Sequence, residues 1–263
     1  TVHVKIDERA AGFFALGLAR GTGAPTIVVT TSGTAVANLH PAMLEAWHSG
    51  DPLIAITADR PAELRGRGAN QTTTQPEIFG PAAPWHIDVP APTGGLDEPQ
   101  RAVELASAAY AAAIGLESRS PFPVHINLAL REPLSGPPES SGIDPSRIPS
   151  PIRVAPTPQT LSRGPATLVI AGAGAGAAPE ELARNGGWPL IAEVTSGARF
   201  GPNIVPAYRR VLDETDLATR IERAVVFGRP NLSRQVTALL RRPGLETVLV
   251  AQRGAEPFDP AGT

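Results

Sequence analysis

The sequence predicts an α/β protein built from two parallel-sheet, three-layer domains. Three observations carry this. Short apolar, β-branched runs alternate with helix-periodic segments, small-residue turns follow several of those runs, and a proline-rich stretch interrupts the pattern midway. Open parallel sheets bind ligands beyond the carboxyl ends of their strands. The turns after Thr30 and Ala58 are therefore the first places to look for a site.

Thr1 to Ile6 alternates apolar and polar residues and is predicted as a short strand. Asp7-Glu8 opens a helix with apolar positions Ala11, Phe13, Phe14, Ala15, Leu16 and Leu18; it runs to Arg20, with Gly21 suited to the cap. Thr26 to Thr30 is a buried strand, and Ser32-Gly33-Thr34 turns it toward a helix ending near Ser49-Gly50. Pro41 either follows a turn that ends near His40 or marks the start of the helix proper. Leu53 to Ala58 is continuous in apolar residues, as strands covered on both faces are. Gly66 to Pro76 is polar and too long for a tight turn, which suits either a binding loop or a solvated connection. A helix from about Pro99 to Leu116 and a strand from Val124 to Leu130 close the first domain.

The predicted division is residues 1–134, a proline-rich extended linker over 135–162, and a second domain over 163–263. In that second domain Ala166 to Ile170, Leu190 to Val194, Ala224 to Phe227 and Thr247 to Val250 are predicted strands. Glu180 to Arg184 and about Leu232 to Leu240 are predicted helices, and no final helix is evident.

Composition narrows the function. The 23 basic and 25 acidic residues leave a net charge of −2, so nothing points to a nucleic-acid or membrane-surface partner. With no cysteine, disulfides, thiolate metal sites and a cysteine nucleophile are excluded. No apolar run reaches the ~18 residues of a spanning helix, and a cytoplasmic location is expected. The five histidines lack metal-site spacing, so no metal ligand is assigned.

Two constellations could carry chemistry. Gly172-x-Gly174-x-x-Ala177 follows a strand, opens a helix and precedes Glu193 by about 20 residues, the spacing of a dinucleotide fingerprint. Residues 171–178 are all alanine or glycine, so that pattern arises cheaply. In the first domain, Glu8, Ser32, Gly33, Arg60, Asn70 and Gln71 all fall at one sheet edge. An enclosed acid there can share a proton with a heterocycle nitrogen, and an arginine can grip a carboxylate.

At these residues the sequence resembles the 2-succinyl-5-enolpyruvyl-6-hydroxy-3-cyclohexene-1-carboxylate synthases (MenD), thiamine diphosphate enzymes of menaquinone biosynthesis. The matching runs are Ile6-Asp7-Glu8-Arg9, Thr31-Ser32-Gly33-Thr34-Ala35-Val36-Ala37-Asn38-Leu39, Thr57-Ala58-Asp59-Arg60-Pro61, Gly68-Ala69-Asn70-Gln71 and Arg131-Glu132-Pro133-Leu134. A looser match lies at Gly187-Trp188-Pro189-Leu190-Ile191 and around Gly228 to Arg234.

The resemblance implies a pyrimidine-binding domain over 1–134, lacking its first strand, and a central domain with a nucleotide-binding-like fold that holds no nucleotide. It implies thiamine diphosphate as cofactor, contacted by Glu8, Ser32 and Gly33, with Glu8 the residue that bonds the aminopyrimidine nitrogen and activates the cofactor. Arg60, Asn70, Gln71 and Arg234 fall on or beside substrate-holding positions, Arg234 on the loosest part of the match. The implied substrates are 2-oxoglutarate and isochorismate, and the implied assembly is a homodimer or homotetramer with shared sites. The family's Mg2+ is held by a Gly-Asp-Gly run in a diphosphate-binding domain, and no such run occurs in this sequence. The chain by itself is thus expected to be inactive. Alternatives are another thiamine diphosphate carboligase or decarboxylase, and a noncatalytic module using Gly172, Gly174 and Glu193.

Overall fold

The computed structural model describes residues 1–118, 120–136, 160–250, 254, 258 and 259. The chain separates into two compact units, Thr1–Val154 and Ala155–Thr263. Most of the predicted linker lies outside the described residues.

The first unit opens with helix α1 (Glu8–Thr22). Asp7 caps it by accepting the Ala10 N–H at 3.0 Å, and Gly23, at φ 68°, ends it. The cap falls two residues beyond Gly21 because Gly23 is the glycine in the left-handed conformation. Strand β1 (Thr26–Thr30) leads into two short helices, α2 (Thr34–Ala37) and α3 (His40–Ser49), with Pro41 in the first turn of α3. Strand β2 (Leu53–Asp59) follows, then β3 (Trp85–Val89), helix α4 (Glu98–Ala113) and β4 (Val124–Ala129). All pairings are parallel, in the order β1-β2-β4-β3.

The β2 pattern explains its burial. Leu53 and Ala55 pack with Ala15, Leu16, Leu39 and Met43 beneath α1 and α3, while Ile54 packs with Ala109, Ala113 and Ile126 beneath α4. A strand sandwiched in this way has no polar face, hence the unbroken apolar run. Near an edge the rule lapses. Strand β3, absent from the sequence-based expectation, is mostly exposed, and its Trp-His-Ile-Asp-Val composition carries little apolar signal.

Thr1 to Ile6 is not a strand. Among the described residues it joins no sheet, and Val2, Val4 and Ile6 are 90%, 88% and 101% exposed. Alternation is only permissive, since a strand also needs a partner for its N–H and C=O groups.

The second unit contains β5 (Thr167–Ala171), α5 (Ala178–Gly186), β6 (Leu190–Ala192), α6 (Tyr208–Glu214), α7 (Leu217–Arg220), β7 (Arg223–Phe227), α8 (Arg234–Leu240) and β8 (Glu246–Val250). Its sheet is all parallel, in the order β6-β5-β7-β8. Leu168 and Ile170 face Tyr208, Leu212, Val236 and Leu239, whereas Val169 and Ala171 face Ala183 and Trp188. Helices α6 and α7 were not expected from the sequence. Helix α7, of four residues, is too short to set up a helical period.

Candidate functional site

The connection from α1 to β1 is three residues long, which reverses the chain and brings Glu8, on the first turn of α1, to the carboxyl edge of β1. Glu8 is half-buried and has no ion pair among the described residues. At the same edge Thr31-Ser32-Gly33 leaves β1, and Arg60 follows β2.

Hydrogen bonds gather three further predicted residues, Arg60, Asn70 and Gln71, about Ser32. The Ser32 hydroxyl donates to the Gln71 carbonyl at 2.8 Å, and Arg60 Nη1 donates to Ser32 Oγ at 3.2 Å. Arg60 Nη2 reaches the Asn70 carbonyl at 3.0 Å. Gln71 Nε2 donates to the Ser32 carbonyl at 3.0 Å and to Thr31 Oγ1 at 3.3 Å. Gly33 completes the contact. At φ 77° it turns the chain, and a Cβ there would lie 3.0 Å from Gln71 Cγ. Gln71 itself holds a left-handed backbone, φ 55°, which costs a non-glycine residue about 1 kcal/mol and needs such bonds to persist. The polar stretch over 66–76 is thus docked on the turn.

The arrangement suits an anion. Arg60 has no carboxylate within ion-pair reach among the described residues, so its charge is spent only on neutral oxygens. Thr30 Oγ1, at the end of β1, is buried with no hydrogen-bond partner. The Glu8 carboxylate, without an ion pair among the described residues, is the group at this edge that could hold the aminopyrimidine of thiamine diphosphate. Among the described residues no group of three or more His, Asp or Glu stands together to hold a metal ion.

Behind this cluster lies a polar network that the sequence did not reveal. Gln75, fully buried, accepts the Gly33 N–H at 2.8 Å and donates to the Ala58 carbonyl and to Asn127 Oδ1, both at 2.9 Å. Asn127 Nδ2 donates to Asp59 and Asp88 at 2.8 Å each, and Arg65 spans the same two carboxylates at 2.8 and 2.6 Å. The Arg65 guanidinium, with help from Asn127, holds Asp88 below the usual carboxylate range despite partial burial. Thr57 donates to Asn127 Oδ1 at 3.0 Å, so its oxygen is left to accept from His125 Nε2 at 2.8 Å. Burial pushes His125 down to about 4, with His86 adding to the shift and Asp88 opposing it; the ring is neutral. His125 is thus a satisfied core residue. A signal existed, because Thr57, His125 and Asn127 are polar positions inside otherwise apolar strands.

In the second unit the glycine motif has a different use. The crevice between β5 and β7 is the topological switch point of this sheet, where a nucleotide would bind. Here Ala173 and Arg229 exchange two backbone bonds of 3.0 Å across it, and Gly172 N–H donates to the Phe227 carbonyl at 2.9 Å. A Cβ on Gly172 would lie 2.0 Å from Pro230 N. The glycine therefore admits the turn at 228–230 into the crevice. Glu193, 1% exposed, accepts the N–H groups of Asn231 and Leu232 at 3.1 and 2.9 Å, and burial raises its pKa against those bonds. Its oxygens serve that turn. Arg234, at the start of α8, is exposed and belongs to the second unit, whereas the Ser32 cluster belongs to the first.

Residues 1–78, which carry Glu8 and the Ser32 cluster, match the family described as "Thiamine pyrophosphate enzyme, N-terminal TPP binding domain". Over nearly its whole length the chain is, more particularly, similar to 2-succinyl-5-enolpyruvyl-6-hydroxy-3-cyclohexene-1-carboxylate synthases. It is 52% identical to that of Leifsonia xyli subsp. xyli over 98% of this chain and 44% of the relative. It is 51% identical to that of an Arthrobacter species over 94% of this chain and 42% of the relative. For the Kineococcus radiotolerans synthase the identity is 48%, over 97% and 47%. The chain spans less than half the length of these relatives. No described helix is long and apolar enough to cross a membrane.

Proposed function

We propose that this chain is the pyrimidine-binding and central part of a thiamine diphosphate-dependent synthase of menaquinone biosynthesis, with residues 1–134 and 163–263 as the two domains and 135–162 as the linker. The reaction is decarboxylation of 2-oxoglutarate and transfer of the remaining four-carbon unit to isochorismate. The observation that carries the reading is the Arg60 guanidinium, bonded to Ser32 and the Asn70 carbonyl and without an ion pair among the described residues, at the sheet edge that also receives Glu8.

Bound thiamine diphosphate supplies the carbon chemistry, which no side chain of this protein offers. Glu8 would hold its ring by sharing a proton with a pyrimidine nitrogen, and the Ser32–Gly33 turn would bound the ring. Arg60 would grip a substrate carboxylate, where a charge-assisted pair is about twice as strong as a neutral hydrogen bond. The amides of Asn70 and Gln71 would orient the same substrate, and Arg234 a second carboxylate. Mg2+ would be held by residues outside this sequence. The working assembly is a cytoplasmic homodimer or homotetramer with sites shared between subunits.

The test uses the complete polypeptide encoded with this sequence, supplied with thiamine diphosphate and Mg2+. It should release carbon dioxide from 2-oxoglutarate and form the adduct with isochorismate, and Glu8→Gln should abolish both while leaving the fold intact. Full activity in Glu8→Gln would overturn the assignment.

A further inference from the structure

The hydrogen bonds around Gln75 point beyond the substrate-facing groups. Gln75 lies at the end of the segment that carries Asn70 and Gln71, yet its own side chain is fully buried. Its amide joins three chain segments that are remote in sequence. Oε1 takes the N–H of Gly33, 42 residues away; Nε2 gives one hydrogen to the Ala58 carbonyl, next to Asp59-Arg60, and the other to Asn127 on β4. An amide nitrogen has two hydrogens and its oxygen two lone pairs, so Gln75 uses both donor hydrogens and one of its two acceptor sites. Asn127 is saturated, by Gln75 and Thr57 on its oxygen and by Asp59 and Asp88 on its nitrogen.

We propose that Gln75, backed by Asn127, is a positioning residue of this site: it fixes the Asn70–Gln71 segment onto the Ser32–Gly33 turn and so sets where Gln71 stands relative to Arg60. The proposal deepens the reading under Proposed function and rests on it for its kinetic consequence. Gln71 sits in a left-handed backbone conformation, closely packed against Gly33, and that conformation persists only while the turn and the loop are held together. Ser32 and Arg60 provide the other bonds of this contact, part-buried at Ser32 Oγ and exposed where Arg60 meets the Asn70 carbonyl. Gln75 provides the inner one, in a dry environment where a hydrogen bond is least exchanged with water.

The test takes Gln75→Met, of similar length but unable to make these bonds, in the complete enzyme, alongside Gln71→Ala and the double variant. KM for the carboxylate substrate should rise about tenfold in Gln75→Met, the loss expected when one site hydrogen bond is misplaced, with a smaller change in kcat. The double variant should be no worse than Gln71→Ala alone, because Gln75 acts through Gln71. A lowered melting temperature with KM unchanged, or losses that multiply in the double variant, would overturn the proposal. Hydrogen exchange on the ligand-free wild type keeps the test independent of activity and of whether the variant folds. The Gly33 amide, outside every strand and helix, should exchange as slowly as amides of β2. Fast exchange there overturns the latch even in a fully active enzyme. A wild type that lacks carboligase activity but shows slow exchange overturns the functional reading and supports the latch.

Discussion

Replacing Gly172 with alanine separates the two uses a glycine motif can have. Gly172 is not in the left-handed region, so its backbone would accept an alanine; the obstacle is space alone. The added methyl would lie 2.0 Å from Pro230 N and 2.1 Å from the Arg229 carbonyl carbon, against a contact distance near 3.4 Å, so the turn at 228–230 must withdraw by more than 1 Å. That withdrawal breaks the pair of bonds between Ala173 and Arg229 and strains the one from Gly172 to Phe227. At about 1 kcal/mol net for each broken bond, the second unit should lose about 2 kcal/mol, and more from the strained one. Gly174→Ala is the control. It has φ 77° and open space, so it should lose only the left-handed penalty of about 1 kcal/mol. Urea unfolding followed by the fluorescence of Trp188, packed against β5, measures both, with hydrogen exchange in β5 and β7 to localise the loss. A phosphate-binding glycine predicts the reverse, with stability untouched until a ligand is present. Equal losses in the two variants, or a Gly172→Ala loss under about 1 kcal/mol, would refute the packing argument.

Three more outcomes follow from the first unit. Arg65→Met should cost about 3 kcal/mol of stability, because it strands Asp59, whose side chain is fully buried, and Asp88 without their cation; a change under 1 kcal/mol in chemical denaturation would contradict this. His125 has a folded pKa of about 4 against 6.5 when unfolded, so between those values the unfolded chain binds the extra proton and stability must fall as pH falls. The effect is of the order of 3 kcal/mol, complete only below pH 4 and absent above about pH 7, and His125→Gln should flatten the slope between pH 6.5 and 4 in urea titrations. In the complete enzyme, Arg60→Ala should raise KM for the carboxylate substrate by 10-fold or more while leaving cofactor affinity, measured by calorimetry, nearly unchanged; loss of cofactor binding instead would move Arg60 to another role.

The central strands were legible in the sequence because burial on both faces leaves a run of β-branched and apolar residues, as in Leu53 to Ala58. Strand β3 was not, since a half-exposed strand is defined by its partner β4 rather than by its own composition. The opposite error came at Thr1 to Ile6, where a strand-like alternation joins no sheet among the described residues. The same division runs through the site. Ser32, Gly33 and Arg60 are placed by local rules, since each follows a strand. Asn70 and Gln71 are drawn to them by contacts across roughly 40 residues, through Gln75, whose role no local pattern marks. The fingerprint at Gly172, Gly174 and Glu193 satisfies a spacing rule, yet the chain fills the crevice with its own turn, a long-range event that spacing does not encode.

Strand β1 ends the first sheet with one rail of N–H and C=O groups unpaired among the described residues, and beside it Ile27 and Val29 are 56% and 69% exposed. Such a rail is a template that accepts any extended chain of adequate length, its own copies included. A lysine in place of Val29 should therefore blunt this edge as a template.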